Sequence, residues 1–501
     1  MGRVVDSLLR KEFEPVSQAR LEQLIIICAL CCYAVYLVFG VLQHEAWRDE
    51  WQAINIARSF TSLPDLYARL RYEGHPALWF LAIRAVWEIY PALLSVQVLN
   101  CFFAVSAAGL VAFFAPWPLW LRLLAAFTGP AAWEYSIKAR SYGLGWLLIV
   151  VLALVLRRPE SRFKPWLVVL LAALCLNTSV FSGIVAFSLV AGWLCDALVQ
   201  KRFSQHIFPA AMLVVGTVCT ALLARPPAGA ALGLAPDKIV SDGLGALCTL
   251  FAVTLLPCHG LSWDYLAYIT VVAAVTVFFC FRDLCTGLPA RVVLASGWIA
   301  CMLFVVYKSG VQPWYLWHIF LLPFVVSIAF ERRLQLSRAV LVLLALLAVL
   351  GLNAGIREYL HDRTTVYSAA KSAAEGIKTS GLSGLPLVVF PDYYIASLSG
   401  YLGRPLYAGT CRGEETYILW LYKRPSEIES FTCAVGLARR HPERRSLFTH
   451  LDKLRDESLK DLSAEYGVTI SLIGSYLAAP DTDYRFGTDE NFNIYLLTVQ
   501  P

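Results

Sequence analysis

Residues 44–79 read HEAWRDEWQAINIARSFTSLPDLYARLRYEGHPALW and separate strongly apolar parts of the chain. The stretch carries an acidic pair, Asp49 and Glu50, and a turn in which Glu73 and His75 precede a proline. Ionisable residues in such an apolar context are functional-site candidates by default. We therefore predict that the active site lies in this stretch.

The composition of the whole chain is that of a membrane protein. Hydrophobic residues make up 58% and charged residues 16% of the 501 residues, and the mean hydropathy is +0.60. Soluble domains average about 25% charged residues. The net charge of +6 is spread over loops and forms no tract typical of a nucleic-acid site. The sequence thus predicts a polytopic α-helical membrane protein with no nucleic-acid partner.

Apolar runs long enough to cross a bilayer follow one another through most of the chain. Two further apolar runs, 76–90 and 244–257, are shorter than the ~17 residues that a spanning helix needs, so we interpret them as interfacial or re-entrant helices. The prediction is about eleven spans, or up to about thirteen if the short runs also cross. The predicted spans are 21–42, 92–115, 118–134, 142–157, 165–181, 182–199, 207–224, 264–281, 291–308, 313–330 and 337–355.

Basic residues set the orientation, because cytoplasmic loops are enriched in Lys and Arg. With about eleven spans, the main basic clusters fall on the side of the N-terminus: Arg157–Arg158, Lys201–Arg202 and Arg332–Arg333. The run 21–42 is too long for a signal peptide and lacks a cleavage site, so it is the predicted uncleaved first span. The N-terminus is therefore placed in the cytoplasm.

This orientation divides the chain into three parts. Residues 1–20 form a cytoplasmic N-terminus, and residues 21–356 form the membrane domain, whose first outer loop is 43–91. Residues 357–501 are charged, hold no run long enough to span, and alternate strand-like and helix-like segments, including a long charged helix around 444–466. This last part is a predicted extracytoplasmic α/β domain.

Two features of the C-terminal part leave alternatives open. Cys411 and Cys433 form a disulfide if this region faces an oxidising compartment and stay as thiols if it does not. Asp481 and Asp483 match the Asp-x-Asp pattern by which soluble glycosyltransferases hold a metal and a nucleotide sugar. That motif lies in a Pro- and Gly-flanked loop where Asp is a common turn residue, so no metal site is assigned to it.

The opening stretch has its own helical pattern. Apolar residues at helical spacing predict an amphipathic helix over 50–60 that lies on the membrane surface. A second helix is predicted from Ser62 to a stop at Gly74. Asp49 is then either a catalytic or substrate-binding carboxylate or only the N-cap of the first helix, with Gln52 completing a capping box.

The order of several motifs resembles the GT-C superfamily of integral membrane glycosyltransferases. An acidic pair follows the first span, EGHPALWFLAIR follows at 73–84, KARSYGLGWLLIV opens a later span at 138, and PWYLWHIFLLPFV opens a late span at 313. The chain is most similar to the branch with protein O-mannosyltransferases, the lipid A aminoarabinose transferase and bacterial galacturonosyl transferases. FPDYYIASLSGYLGRPLY resembles the start of that family's outer domain.

The resemblance implies a glycosyltransferase that moves a sugar from a polyprenyl-phosphate donor to an acceptor on the outer face, with inversion at the anomeric carbon. The acceptor is lipid A, another glycolipid, a glycan or a protein. The implied setting is the bacterial inner membrane, with a periplasmic C-terminal domain and a monomeric protein. No cofactor is assigned, and a divalent metal stays an open alternative. The competing function is a transporter or lipid flippase, which would show a repeat and mid-span charges.

The resemblance also assigns roles to residues. Asp49 is the predicted base, and Glu50 is a supporting catalytic carboxylate. The predicted substrate-binding residues are Glu73, His75, Lys138, Arg140, Tyr142, Lys308, Tyr315 and His318.

Arg140 is the preferred phosphate ligand, because its planar fork matches a phosphate better than the point charge of lysine does. For two other cations, structural alternatives stay open. Lys138 can pair with Glu134 one helical turn away, and Lys308 can extend along a span end to reach water.

Overall fold

The computed structural model describes residues 2–223, 225, 227, 287–307, 313–330, 338–420, 424–478 and 490–500. Helices dominate up to residue 379, and a mixed sheet follows. The helices of the first part are α1 (Gly2–Gln43), α2 (Arg48–Ser59), α3 (Leu63–Glu73), α4 (Leu78–Ile89), α5 (Leu93–Phe114), α6 (Leu119–Ala126), α7 (Tyr142–Arg157), α8 (Lys164–Leu176), α9 (Val180–Val199), α10 (Ile207–Leu223), α11 (Leu288–Tyr307), α12 (Pro313–Phe330), α13 (Arg338–Thr364) and α14 (Ala370–Thr379).

Three helices among the described residues are long and apolar enough to cross a membrane. They are Arg20–Gln43 within α1, Leu93–Phe114 and Val180–Val199. Large apolar side chains on these and neighbouring helices point outward, such as Phe102 at 62% and Phe208 at 62% exposure. Such a surface suits lipid better than water.

The prediction that residues 118–134 form one continuous spanning helix is wrong. α6 ends after eight residues, and a 3₁₀ turn over Gly129–Ala132 follows. Thr128, Gly129 and Pro130 interrupt the helical pattern, and the proline removes a backbone donor. The chain then stays irregular up to α7, and this irregular segment carries Lys138 and Arg140.

The two short apolar runs have different outcomes. Residues 76–90 form α4, which has only 12 residues and is too short to cross a bilayer. The run 244–257 and the predicted span 264–281 lie outside the described residues. α13 continues beyond the predicted domain boundary at 356, as far as Thr364.

The C-terminal part contains one six-stranded sheet. Its strands are β1 (Leu387–Val389), β2 (Leu406–Ala408), β3 (Glu414–Glu415), β4 (Arg445–His450), β5 (Val468–Tyr476) and β6 (Phe492–Val499), in the order β3-β2-β1-β4-β6-β5. β1 is parallel to β2 and β4, and the other pairings are antiparallel. Its helices are α15 (Ile395–Leu402), α16 (Glu427–Arg440) and α17 (Asp456–Tyr466).

Both faces of this sheet are covered. Leu387 and Val389 join α14 and α15 in one apolar cluster, whereas Val388 joins α16 in another. This split follows from the two-residue period of a strand. The predicted α/β character is confirmed as a mixed sheet with helices on both faces. The predicted helix at 444–466 is wrong in its first half, where β4 pairs with β1 and β6.

α2 lies between the membrane helices and the C-terminal domain. It contacts α4 on one side and α15 on the other, and residues 50–57 are all buried. α15 approaches so closely that a side chain on Gly400 would collide with the Trp51 indole. The prediction of a helix at this position is confirmed, and the helix is buried against the C-terminal domain. Its place at the membrane surface stays a prediction.

Candidate active site

Local capping signals fix the opening stretch. Ser62 Oγ accepts a hydrogen bond from the Asp65 N–H at 3.3 Å, so α3 begins where the sequence predicted. α3 ends at Gly74, whose φ of 68° suits a residue without a Cβ. The turn that follows places His75 beside α2, and His75 Nδ1 lies 2.9 Å from the Glu73 carbonyl oxygen.

A cavity of about 230 Å³ opens between α2, this turn and the segment before α7. It brings together four of the predicted residues: Asp49, Glu73, His75 and Arg140. The other lining residues are Arg48, Gln52, Ala53, Pro76, Trp79, Phe80, Ser141, Thr178 and Trp420. A polar cavity that combines carboxylates, guanidinium groups and aromatic rings is the default candidate for a substrate site.

Asp49 lies between two guanidinium groups. Its Oδ2 accepts a hydrogen bond from Arg140 Nη1, and its Oδ1 lies 3.4 Å from Arg48 Nε. Burial opposes the charge of this carboxylate, but Arg140 and Arg48 outweigh burial and lower the pKa of Asp49. Asp49 is therefore an ionised carboxylate that faces the cavity.

The alternative that Asp49 only caps α2 is wrong. The helix begins at Arg48 after the N-cap residue Trp47, which makes Asp49 its second residue. Glu50 performs the capping instead, because its Oε2 accepts a hydrogen bond from the Trp47 N–H at 3.2 Å. The carboxylate of Asp49 is thus left for contacts across the cavity.

Glu50 has a different environment from Asp49. It is completely buried and is not part of the cavity lining. Its Oε1 accepts a hydrogen bond from the Ala139 N–H at 2.7 Å, and its Oε2 lies 2.8 Å from His44 Nε2. Glu50 therefore holds the backbones that carry Asp49 and Arg140. This geometry does not support a direct catalytic role for Glu50, because its carboxylate does not line the cavity.

A buried ion cluster stands behind the cavity. His44 Nδ1 lies 2.8 Å from Asp362 Oδ2, and Trp133 Nε1 donates to the same oxygen at 2.9 Å. Burial disfavours the imidazolium, but the carboxylates of Asp362 and Glu50 outweigh burial and raise the pKa of His44 to about 10. His44 is thus charged at neutral pH and links α1, α2 and α13. Because 318 residues separate His44 from Asp362, no local pattern predicts the pair.

Glu73 is a buried carboxyl group at the edge of the cavity. Gln52 Nε2 donates to its Oε1 at 2.6 Å. Burial raises the pKa of Glu73 to about 8, and the hydrogen bond from Gln52 only partly opposes this shift. Glu73 is therefore mostly a neutral acid at pH 7, and it can donate a hydrogen bond as well as accept one.

Lys138 lies away from the cavity lining. Its Nζ is 3.1 Å from Glu134 Oε2 and 4.0 Å from the centre of the Trp133 ring, and the residue is 3% exposed. The structural alternative, a pair with Glu134, is the one observed. Lys138 contributes to the fold of the segment before α7, and its placement does not support the predicted contact with substrate.

Tyr142 and His318 lie deeper in the helical bundle. The Tyr142 ring is 5.5 Å from the guanidinium carbon of Arg140, so Tyr142 supports Arg140 from behind. His318 is fully buried. Its Nδ1 lies 2.6 Å from the Tyr135 hydroxyl and its Nε2 lies 3.2 Å from Ser182 Oγ. Neither residue lines the cavity, so their placement does not support the predicted contact with substrate.

The remaining predictions concern residues that lie wholly or partly outside the described part of the chain. Lys308 and the Asp481–Asp483 motif lie outside the described residues, as does the side chain of Tyr315. Among the residues that the structure describes, no group of three or more His, Cys, Asp or Glu side chains could hold a metal ion.

The structure adds three residues to the site that the sequence analysis missed. Arg48 and Gln52 lie in the quoted stretch, but the sequence does not show that their side chains line the cavity. Trp420 comes from the C-terminal domain. No local signal distinguishes these three from ordinary surface or core residues.

Comparison with known structures supplies a fold relationship. The chain is similar to the crystal structure of ArnT from Cupriavidus metallidurans bound to undecaprenyl phosphate, with a TM-score of 0.52 and 12% identity over 94% of this chain and 97% of that chain. The apo structure of the same protein gives a TM-score of 0.54 and 13% identity over 94% and 97%. No protein-family model and no curated protein sequence matches the chain. The chain therefore shares its overall fold with ArnT.

Proposed function

We propose, from the fold shared with ArnT, that this protein is a membrane glycosyltransferase. It takes a sugar from a polyprenyl-phosphate donor and transfers it to an acceptor hydroxyl on the outer face of the membrane. The observation that carries the proposal is the ionised carboxylate of Asp49, held between Arg48 and Arg140 at the wall of a polar cavity.

The donor is a lipid-linked sugar phosphate. One ArnT structure contains undecaprenyl phosphate, and Arg140 in this chain offers the planar fork that suits a phosphate. Arg140 lies on the helical-bundle side of the cavity, close to Ser141 at the start of α7. A polyprenyl tail can remain in the bilayer while its phosphate reaches this guanidinium group.

Transfer proceeds by one inverting displacement. The acceptor hydroxyl oxygen forms a bond to the anomeric carbon, while the bond from that carbon to the phosphate oxygen breaks and its electron pair stays on the phosphate. Asp49 accepts the hydroxyl proton. Arg140 stabilises the charge that develops on the leaving phosphate.

The Asp49–Arg140 contact implies that the donor binds before Asp49 becomes an effective base. Without donor, Arg140 lowers the pKa of Asp49 and so weakens it as a base. A bound phosphate competes for the same guanidinium group, and the pKa of Asp49 then rises toward its ordinary value. Donor binding thus prepares the base for the acceptor.

The C-terminal domain has a feature that is typical of domains on the outer face of the membrane. Cys411 and Cys433 form a disulfide that joins the segment after β2 to α16. Disulfides persist in oxidising compartments such as the bacterial periplasm. We therefore place residues 357–501 in the periplasm and the N-terminus in the cytoplasm. The acceptor class is lipid A, another glycolipid, a glycan or a protein.

Sugar transfer by the purified full-length protein tests the proposal. The substrates are sugars linked to undecaprenyl phosphate and a panel of lipid A, glycolipid and peptide acceptors. We expect Asp49→Asn to lower the rate by about 100-fold or more, since general-base catalysis contributes 10²–10⁴-fold. Asp65→Asn is the matched control, because Asp65 lies on α3 and pairs with Arg69 outside the cavity. Undiminished transfer by Asp49→Asn would overturn the assignment of the base.

A further inference from the structure

Two buried amide side chains fasten a segment of the C-terminal domain to α2. Gln52 Nε2 donates to the Ile418 carbonyl at 2.7 Å, and the Ile418 N–H donates to Gln52 Oε1 at 3.2 Å. Near the next turn of the helix, Asn55 Nδ2 donates to the carbonyls of Thr416 and Ala396. Gln52 thus pairs with the Ile418 backbone as a neighbouring strand would, and it satisfies both backbone groups.

This attachment sets the position of Trp420. Trp420 follows Ile418 by two positions and lines the cavity, and among the described residues it is the only one from the C-terminal domain that does so. The guanidinium carbon of Arg424 lies 4.7 Å from the centre of the indole, and Asp392 binds Arg424 at 2.6 Å. The indole is therefore braced from within its own domain where it borders the cavity.

The surroundings of Trp420 are those of a site for a sugar ring. A pyranose presents C–H bonds on its faces and hydroxyl groups around its rim, so it needs a flat apolar surface beside hydrogen-bonding groups. Glu73 provides such a group in the same cavity. Glu73, with a pKa raised to about 8 by burial, can both donate to and accept from a hydroxyl group.

We propose that Trp420 is a stacking platform for a sugar ring on the side of the cavity that the C-terminal domain covers. This inference rests on the proposed glycosyltransferase function and deepens it. The ring belongs to the donor sugar or to a glycan acceptor, and both present the same chemistry to the indole. Trp420 then selects the sugar, whereas Arg140 binds the lipid phosphate.

The test compares Trp420→Ala, Trp420→Phe and the control Leu419→Ala in the full-length protein. Leu419 lies in the same segment and is 38% exposed, and it does not line the cavity. The relevant product is defined as the glycoconjugate that mass spectrometry shows to disappear from cells carrying Asp49→Asn. Two binding constants are measured with purified protein, one for undecaprenyl phosphate and one for the lipid-linked sugar extracted from the Asp49→Asn cells.

We expect Trp420→Ala to lower product about tenfold or more, Trp420→Phe to keep at least about half, and Leu419→Ala to match the wild type. Binding of undecaprenyl phosphate, which has no sugar, should stay within about twofold in all three variants. If the extracted donor binds about tenfold more weakly to Trp420→Ala, the ring is the donor sugar. If it binds normally while product is lost, the ring belongs to the acceptor.

Two results would overturn the platform. One is wild-type product with Trp420→Ala, and the other is a loss of undecaprenyl phosphate binding as large as the loss of donor binding. The failure of the proposed function has a separate signature: Asp49→Asn would leave every glycoconjugate unchanged. In that case both the proposed function and the proposed role of Trp420 are wrong.

Discussion

At the scale of single residues, the site depends on how one carboxylate is paired. Asp49 could be predicted as a candidate because ionisable residues beside apolar runs are functional-site candidates, and the order of the family motifs then assigned it the role of base. Arg140 could be predicted only through the order of family motifs. Arg48 could not, because an arginine beside an aspartate is common, and only the fold shows that both side chains line the same cavity.

Glu73 makes the free energy of unfolding depend on pH. Burial raises its pKa to about 8, whereas a glutamate in an unfolded chain titrates near ~4.3. Between these values the folded state holds a proton that the unfolded state has released, so the free energy of unfolding falls as the pH rises. We expect Glu73→Gln to lose this contribution, so that its melting temperature declines less between pH 5 and pH 8 than that of the wild type.

Thermal unfolding in detergent across that pH range checks the effect of Glu73. Glu88→Gln is the matched control, because the Glu88 side chain is 60% exposed and pairs with Arg84 on the surface of α4. Its pH curve should run parallel to that of the wild type. If the Glu73→Gln curve also runs parallel, Glu73 is ionised in the folded protein and the assignment of a neutral acid is wrong.

At the scale of elements, the cavity is held by contacts between parts distant in sequence. The limits of α3 could be predicted because Ser62 and Gly74 are local capping signals. The early end of α6 and the strand β4 could not be predicted as easily. The apolar run continues past Ala126 into an irregular segment, and β4 lies in a charged region that suits a helix until its sheet partners are known.

The buried cluster around Glu50 yields an element-scale prediction. Glu50 joins the start of α2 to the Ala139 backbone and to His44. Glu50→Gln removes the charge that faces His44, and breaking a buried ion pair costs about 3–5 kcal/mol. We expect a lower melting temperature and, in addition, a transfer rate per folded molecule that is about tenfold lower, because Arg140 is no longer held opposite Asp49.

Glu45→Gln is the control for Glu50→Gln. Glu45 is a neighbouring carboxylate that lies 3.8 Å from Lys371 and does not line the cavity. Its variant should keep the wild-type rate. If Glu50→Gln lowers only the melting temperature while the rate per folded molecule at saturating donor stays normal, Glu50 supports the fold and does not position the site.

At the scale of the whole molecule, the membrane helices and the C-terminal domain meet on α2. The sequence could predict an apolar helical part followed by an α/β domain, because composition changes sharply along the chain. It could not predict which residues make this contact or that Trp420 lines the cavity. That arrangement depends on the pairing of Gln52 and Asn55 with residues hundreds of positions away.

A structure of the full-length protein with bound undecaprenyl phosphate tests the central claim most directly. We predict that the phosphate lies in the cavity within hydrogen-bonding distance of the Arg140 guanidinium group, and that the direct contact between Arg140 and Asp49 is opened. The polyprenyl tail should run toward the helical bundle and away from Trp420. A phosphate bound elsewhere, with the contact between Asp49 and Arg140 intact, would contradict the account.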